Sequence, residues 1–509
     1  MVVKCKSFGL FGIDCYPVDV EVAISRGNAL FDMVGLPDAA VKESKDRVRT
    51  AFKNCGFEFP VSRITVNLAP ADTKKEGPIY DLPIFMALLK ATGSLDADYR
   101  DCAFLGELSL SGEVRPINGV LPMVIKAREL GIKRLFVPAA NAFEGAVVKG
   151  IDVYPVSSVY QLYMHFKEVE LIAPAVYNED FTVENDIPDF SQVKGQYEVK
   201  RALEIAAAGG HNVLMIGPPG SGKSMLAKRM SGILPDMTFD EIIETTKIHS
   251  IAGTLSQGVP LIKTRPFRSP HHTVSHVAMT GGGNTMIKPG EISLANNGVL
   301  FLDELPEFGR KTIEVLRQPL EDGVVTVSRV HGKYTYPCNF MLIAAMNPCP
   351  CGYYNHPTRK CTCSEKKIHT YLNRVSGPLI DRFDIHIEVP PVEYDELAAK
   401  ANEECSADIK KRVNAARQIQ TERFKNSKTT CNARLTDSEL ETFCEITDEA
   451  SQLLKSAFEA MSLSARAYNR LLKVARTIAD LDNSERIEIQ HIAEAIQYRS
   501  LDRKYWNKI

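Results

Sequence analysis

Residues Gly217, Pro218, Pro219, Gly220, Ser221, Gly222, Lys223 and Ser224 run as GPPGSGKS, a spacing that suits the capture of nucleotide phosphates. The glycines let the backbone wrap around a di- or triphosphate with its N–H groups turned inward, and the positive end of the following helix adds to the attraction. Lys223 is placed to reach the outer phosphates, and Ser224 offers a hydroxyl to Mg2+. The context agrees: HNVLMIG before the loop reads as a short buried strand and MLAKRMSGIL after it as an amphipathic helix. ATP and Mg2+ are therefore the expected cofactors.

A hydrolase needs a second carboxylate-bearing element, and GVLFLDE supplies one. This apolar strand ends in Asp303, suited to hold Mg2+ through its water shell, and Glu304, suited to orient and activate an attacking water. A further strand ends AAMN, which puts Asn347 in reach of a γ-phosphate; the alternative is an Asn that only completes a strand-end turn. Directly after it, NPCPCGYYNHPTRKCTC presents Cys349, Cys351, Cys361 and Cys363 as two C-x-C pairs around a turn-rich loop, residues 347–363. Four thiolates converging in this way suit tetrahedral Zn2+. Metal binding would replace the hydrophobic burial that so short a segment lacks, while redox, Fe–S and unliganded thiols remain alternatives.

These residues need a scaffold, and 509 residues allow about three domains. Residues 1–170 alternate strand patterns (VDVEVAI, RITVNLA, VKGIDVYPV) with amphipathic helices; 171–190 lack periodicity and read as a linker. Residues 191–395 carry the phosphate loop among GVLFLDEL, NFMLIAAMN and DIHIEVP, the pattern of a parallel sheet with helices on both faces, and 396–509 read as helical throughout. The class is α/β with an α+β front domain and a helical rear domain. With 61 Lys+Arg against 63 Asp+Glu, a net charge of −2, nucleic-acid binding would have to come from a local patch. No run of 18 apolar residues and no basic-then-apolar start point to a membrane, so a cytoplasmic location is expected, with the scattered cysteines reduced.

The order of these parts, the strings SGPLIDRFD, GGGNTMIKPGEISLANNGVLFLDELPEF and AAMNPCPCG, and the helical rear region resemble the magnesium-chelatase-like AAA+ ATPases, and most closely the YifB/ComM family of competence-associated branch-migration helicases. The likeness covers essentially the whole chain. It implies an AAA+ core with a C-terminal helical lid, a homo-hexameric ring, and DNA, branched or single-stranded, as the track. It further implies that Arg382 in DRFD is the arginine finger entering the neighbour's site, with Arg374 as a competitor, and that Arg466 in LSARAYNR is the second sensor on the same nucleotide. The stretch between Lys223 and Asp303 is longer than a compact nucleotide fold needs, and the resemblance implies pore-facing insertions there, where Arg265, Arg268, His271, His272, Lys288 and the flexible glycines could meet a phosphate backbone. A metal site at His271, His272 and His276, or a purely structural role, are the alternatives.

The front domain, through FLGELSLSGEVRPINGVLPMVIKARELGIKRLFVPAAN, resembles the proteolytic domain of Lon, a ribosomal-protein-like α+β fold. Lon enzymes use a serine nucleophile and a lysine base, whereas EGPIYDLP has Ile79 and Tyr80 where the serine is due and NGVLPM has Leu121 at the lysine. Peptide hydrolysis has no chemical route without them. An ATP-driven DNA motor is thus the leading expectation, and a chelatase-type or chaperone-like remodeller of a protein partner the alternative.

Overall fold

A computed structural model describes residues 2–178, 187–256, 258–283, 287–329, 332–392, 403–461 and 463–506. In the front domain β1 (Val2–Phe11) and β2 (Asp14–Ser25) form a long antiparallel hairpin whose register runs from Val2↔Ala23 to Phe11↔Asp14. The chain continues through β3 (Leu30–Val34), β4 (Arg63–Ala69), β5 (Cys102–Phe104), a small hairpin of β6 (Glu107–Leu108) and β7 (Val114–Arg115), then β8 (Arg134–Pro138) and β9 (Asp152–Val156). Seven of these strands make one mixed sheet in the order β3-β4-β2-β1-β5-β8-β9. Alternation of apolar and polar residues along β1, β2 and β4 turns Val3, Cys5, Val18, Val20, Val22, Ile64, Val66 and Leu68 into the core. The helix Asp81–Ala91, apolar nearly all round, lies inside that core against β1 and β2.

The second sheet is built from β10 (Val213–Ile216), β11 (Phe267–Arg268), β14 (Val299–Leu302), β17 (Met341–Met346) and β18 (Ile385–Glu388). Its order is β11-β14-β17-β10-β18 and every pairing is parallel. Burial on both faces explains why these segments read as unbroken apolar runs. Val213, Met215, Phe301 and Ile343 face one core, shared with the helices Tyr197–Gly209 and Lys223–Ile233 and with the rear domain, while Leu214, Ile216, Leu300, Leu302 and Leu342 face the other. Two further ribbons were not anticipated: β12 (Gly281–Gly282) with β13 (Lys288–Pro289), and β15 (Val324–Arg329) with β16 (Gly332–Pro337).

The rear part is helical: Ser406–Arg423, Asp437–Phe443, Asp448–Met461, Ala465–Leu481 and Ile489–Gln497. It returns to the parallel sheet at its end, where Lys504 pairs with Glu388 of β18 at 2.6 Å. Of the expected linker 171–190, Ile172 is buried in the front core and Phe190 in the second, and 179–186 lie outside the described residues, as does the expected boundary at 395. Among the described residues no helix is long and apolar enough to cross a membrane.

Candidate active site

Because β10, β14 and β17 are parallel and in register, Ile216, Leu302 and Met346 end at one edge of the sheet, and the residues that follow them meet there. These are the phosphate loop, the Asp303–Glu304 pair and Asn347. The Gly217 N–H donates to Met346 O at 3.2 Å, and a Cβ on Gly217 would lie 2.3 Å from Val389 O, so only glycine fits between the two strand ends. Lys223 starts the helix and folds back, its Nζ donating to Gly217 O and Pro218 O at 2.8 Å and to Asn347 Oδ1 at 3.3 Å. Burial pushes its ammonium down to about 8, against the pull of Asp303 and Glu304. Ser224 Oγ donates to Asp303 Oδ2 at 2.5 Å. A hydroxyl and a carboxylate converging beside a lysine form a donor set suited to Mg2+ and a bound polyphosphate. Glu304 stands exposed in left-handed backbone (φ 53°), which an L-residue adopts at some cost.

Arg382 lies at the other edge. It precedes β18, and its carbonyl accepts from Asn212 Nδ2 at 2.9 Å, just before β10 begins. Its guanidinium pairs with Glu321 and lines a cavity of about 570 Å3 together with Arg434, Arg466, Arg470 and Lys473. Burial, then the charges of Arg470, Arg466 and Arg317, depress the Arg382 guanidinium below its ordinary range. The structure therefore brings Arg382 and Arg466 together, on the side of the sheet away from their own phosphate loop. Arg374 belongs to the opposite edge, paired at 2.9 Å with Glu307 just past Glu304. Sequence reading overlooked Arg470 and Lys473; the signal was present, since Arg466, Arg470 and Lys473 fall four and three residues apart on one helix and so share a face.

The four cysteine sulfurs all lie within 4.8 Å of one another, with separations of 3.3 Å (Cys349–Cys351), 3.6 Å (Cys351–Cys361) and 3.8 Å (Cys349–Cys361). A tetrahedron of sulfurs with Zn–S bonds of about 2.3 Å has edges of about 3.8 Å. The separations exceed an S–S bond of about 2.05 Å, and all four thiols are free. The set fits one tetrahedral metal ion.

Two candidates for contact with a nucleic-acid backbone are corrected. Arg265 spends its guanidinium on Pro235 O, Asp236 O, Asn297 O and Glu241, and Arg268 makes a bidentate pair with Glu291 at 2.7 and 2.8 Å, so both are struts within the fold. Lys288, His271 and His276 are exposed, and His272 Nδ1 stands 3.7 Å from Glu304 Oε2. Among the described residues the one group of three or more His, Cys, Asp or Glu side chains that converges as metal ligands is that of the cysteines, so the three-histidine alternative is not formed.

In the front domain Ile79 lines a largely apolar cavity of about 160 Å3 with Leu10, Ile117, Met123 and Tyr334, and Leu121 is fully buried in the core. Tyr334, from the β15–β16 ribbon, stacks near Phe11 at 4.6 Å, and Glu144 accepts from Leu121 N at 2.9 Å and from the Ser250 hydroxyl of the second domain. The region where a nucleophile and base would stand is thus packed against the nucleotide domain.

The family described as "Magnesium chelatase, subunit ChlI" matches residues 189–397, its C-terminal domain matches 403–499, and "Subunit ChlI of Mg-chelatase" matches 20–141. Competence protein ComM of Haemophilus influenzae is 43% identical over 499 residues, covering 97% of this chain and 96% of its own length. The chain belongs to the ComM/YifB family of magnesium-chelatase-like AAA+ proteins. Protein YifB of Escherichia coli is 44% identical over 494 residues, covering 97% of this chain and 96% of its own. Lon protease 2 of Syntrophobacter fumaroxidans is 29% identical over 129 residues, 24% of this chain and 16% of its own length. This chain therefore joins a Lon-like front domain to an AAA+ core and a helical rear domain.

Proposed function

We propose that this chain is one subunit of an ATP-hydrolysing ring that moves on DNA, a branch-migration helicase serving recombination or natural transformation. The observation that supports the reading is that two groups of residues suited to phosphoryl transfer stand at opposite ends of the strands of one parallel sheet. Lys223, Ser224, Asp303, Glu304 and Asn347 stand at one edge, and Arg382 and Arg466 at the other. A chain cannot close such a site on itself, whereas copies arranged head to tail close one at every junction. In that arrangement the phosphate loop grips ATP, Lys223 leaves its carbonyls for the outer phosphates, and Ser224 and Asp303 would hold Mg2+, which would supply charge neutralisation at the phosphates. Glu304 accepts the proton of the attacking water, and the neighbour's Arg382 and Arg466 stabilise the transferring phosphoryl group. A hexamer is the ring expected for this family.

DNA as the track is supported by the relative named for competence and by the exposed Lys288 and His271 in the segment between Lys223 and Asp303. The zinc assignment rests on the sulfur geometry. A remodeller of a protein partner is the competing reading; the Lon-like front domain, with Ile79 and Leu121 at the nucleophile and base positions, does not favour proteolysis. Glu304→Gln tests the proposal: ATP should still bind, turnover should fall by about 100-fold or more, and the trapped protein should stay on a four-way DNA junction. If the trapped protein ignores junction, duplex and single strand alike at low salt, DNA is not the track.

A further inference from the structure

The cysteine loop touches the phosphate loop. Between Asn347 and Ser364 the chain has no regular element; Pro348, Cys349 and Gly352 are buried, Cys351, Cys361 and Cys363 are half-buried, and residues 357–360 are exposed. Gly352 sits in left-handed backbone (φ 84°), its N–H donating to Cys349 O at 2.9 Å, and a Cβ there would lie 2.3 Å from Cδ of Pro219. A tight turn between two of the sulfur ligands therefore rests directly on the third residue of GPPGSGKS. Two residues before Cys349, Asn347 holds Lys223 through its Oδ1 at 3.3 Å. One short segment thus fixes both Pro219 and the partner of Lys223; it is anchored to the adjoining core by Cys349, with Cys351, Tyr354, Cys361 and Cys363 packed partly buried against it, so the sulfur cluster itself carries much of its shape.

We propose that the four-cysteine loop is a metal-dependent clamp on the nucleotide site. Zinc bound by Cys349, Cys351, Cys361 and Cys363 sets the turn that seats Gly352 against Pro219 and keeps Asn347 on Lys223, and loss of the metal loosens the grip on ATP. The residues act through the phosphate loop and are positioning residues. The proposal rests on the reading of that loop as an ATP site, but not on DNA, so it is tested without DNA.

Full-length protein is assayed for zinc by atomic emission, stripped by chelation under reducing conditions, and reloaded with Zn2+, with kcat and KM for ATP measured in each state. The clamp predicts a rise in KM of about tenfold on stripping, reversed by reloading. Gly352→Ala keeps all four sulfurs, so it should retain one zinc per chain and still raise KM by about the same factor through the clash with Pro219. Pro219→Ala removes the contact from the other side, and stripping should then shift KM far less than in the wild type. Should stripping unfold the loop, or Gly352→Ala lose zinc, the pair of Pro219→Ala measurements decides. Equal KM values with and without metal, or a cluster that takes up no Zn2+, overturn the clamp alone. Absence of ATP turnover in the zinc-loaded wild type overturns the nucleotide reading and the clamp with it.

Discussion

Replacing Arg382 with alanine should abolish ATP turnover without unfolding the chain, and a second defective subunit should repair the loss. The four residues of β10 separate Asn212, bonded to the Arg382 carbonyl, from the phosphate loop. At about 3.3 Å per residue they span roughly 13 Å, too far for Arg382 to serve its own site. The pair it makes with Glu321, a carboxylate 52% exposed, contributes about 1 kcal/mol or less because water takes over the freed charge. The Arg382 Nε is buried without a partner, so truncation leaves few new unpaired groups. The melting temperature should therefore change little while turnover falls by about 10³-fold or more, the value of an arginine finger. Lys223→Ala should be equally inactive. In an equimolar mixture, junctions that pair an intact phosphate loop with an intact neighbouring arginine form at about one quarter of positions in a closed ring, and activity should return in that proportion. A mixture no more active than either variant alone would refute the shared site, and so would an Arg382→Ala protein that turns over ATP normally.

Three further expectations follow from individual contacts. Lys223, held down to about 8 by burial, must be charged to meet phosphate, so ATP affinity is full below that pH and declines as pH rises through it; KM measured from pH 6.5 to 9.5 should climb by about tenfold per unit above 8, and a flat profile would show that Lys223 does not carry the phosphate charge. Arg265→Ala strips a charged donor from Pro235 O, Asp236 O, Asn297 O and Glu241 and should destabilise the protein by about 2–4 kcal/mol in urea titration. It should also leave the salt dependence of DNA binding unchanged; a shallower slope would reinstate Arg265 as a phosphate contact.

Much of this was legible in the residues because phosphate chemistry is written contiguously. GPPGSGKS, LFLDE and AAMN each sit at the end of an apolar run, and parallel strands ending together turn three separate strings into one site. The convergence of the four cysteines was legible for the same reason, their spacing being local. What escaped was anything decided by distant packing. Arg265 and Arg268 read as solvent cations until Glu241 and Glu291, more than twenty residues away in sequence, claimed them. The seat of Gly352 on Pro219 joins residues with no shared pattern. The packing of Tyr334 beside Phe11 and into the cavity lined by Ile79 depends on the β15–β16 ribbon, whose hydrophobic alternation is too short to stand out among the longer runs beside it.

The central claim, that ATP is spent on moving along DNA, meets its most direct test in one turnover measurement on the purified chain at low salt with no DNA, single strand, duplex or four-way junction. DNA should raise kcat several-fold, most with the branched substrate, and the stimulation should vanish as added salt releases the phosphate contacts. Turnover that is equally fast with and without every form of DNA would contradict it.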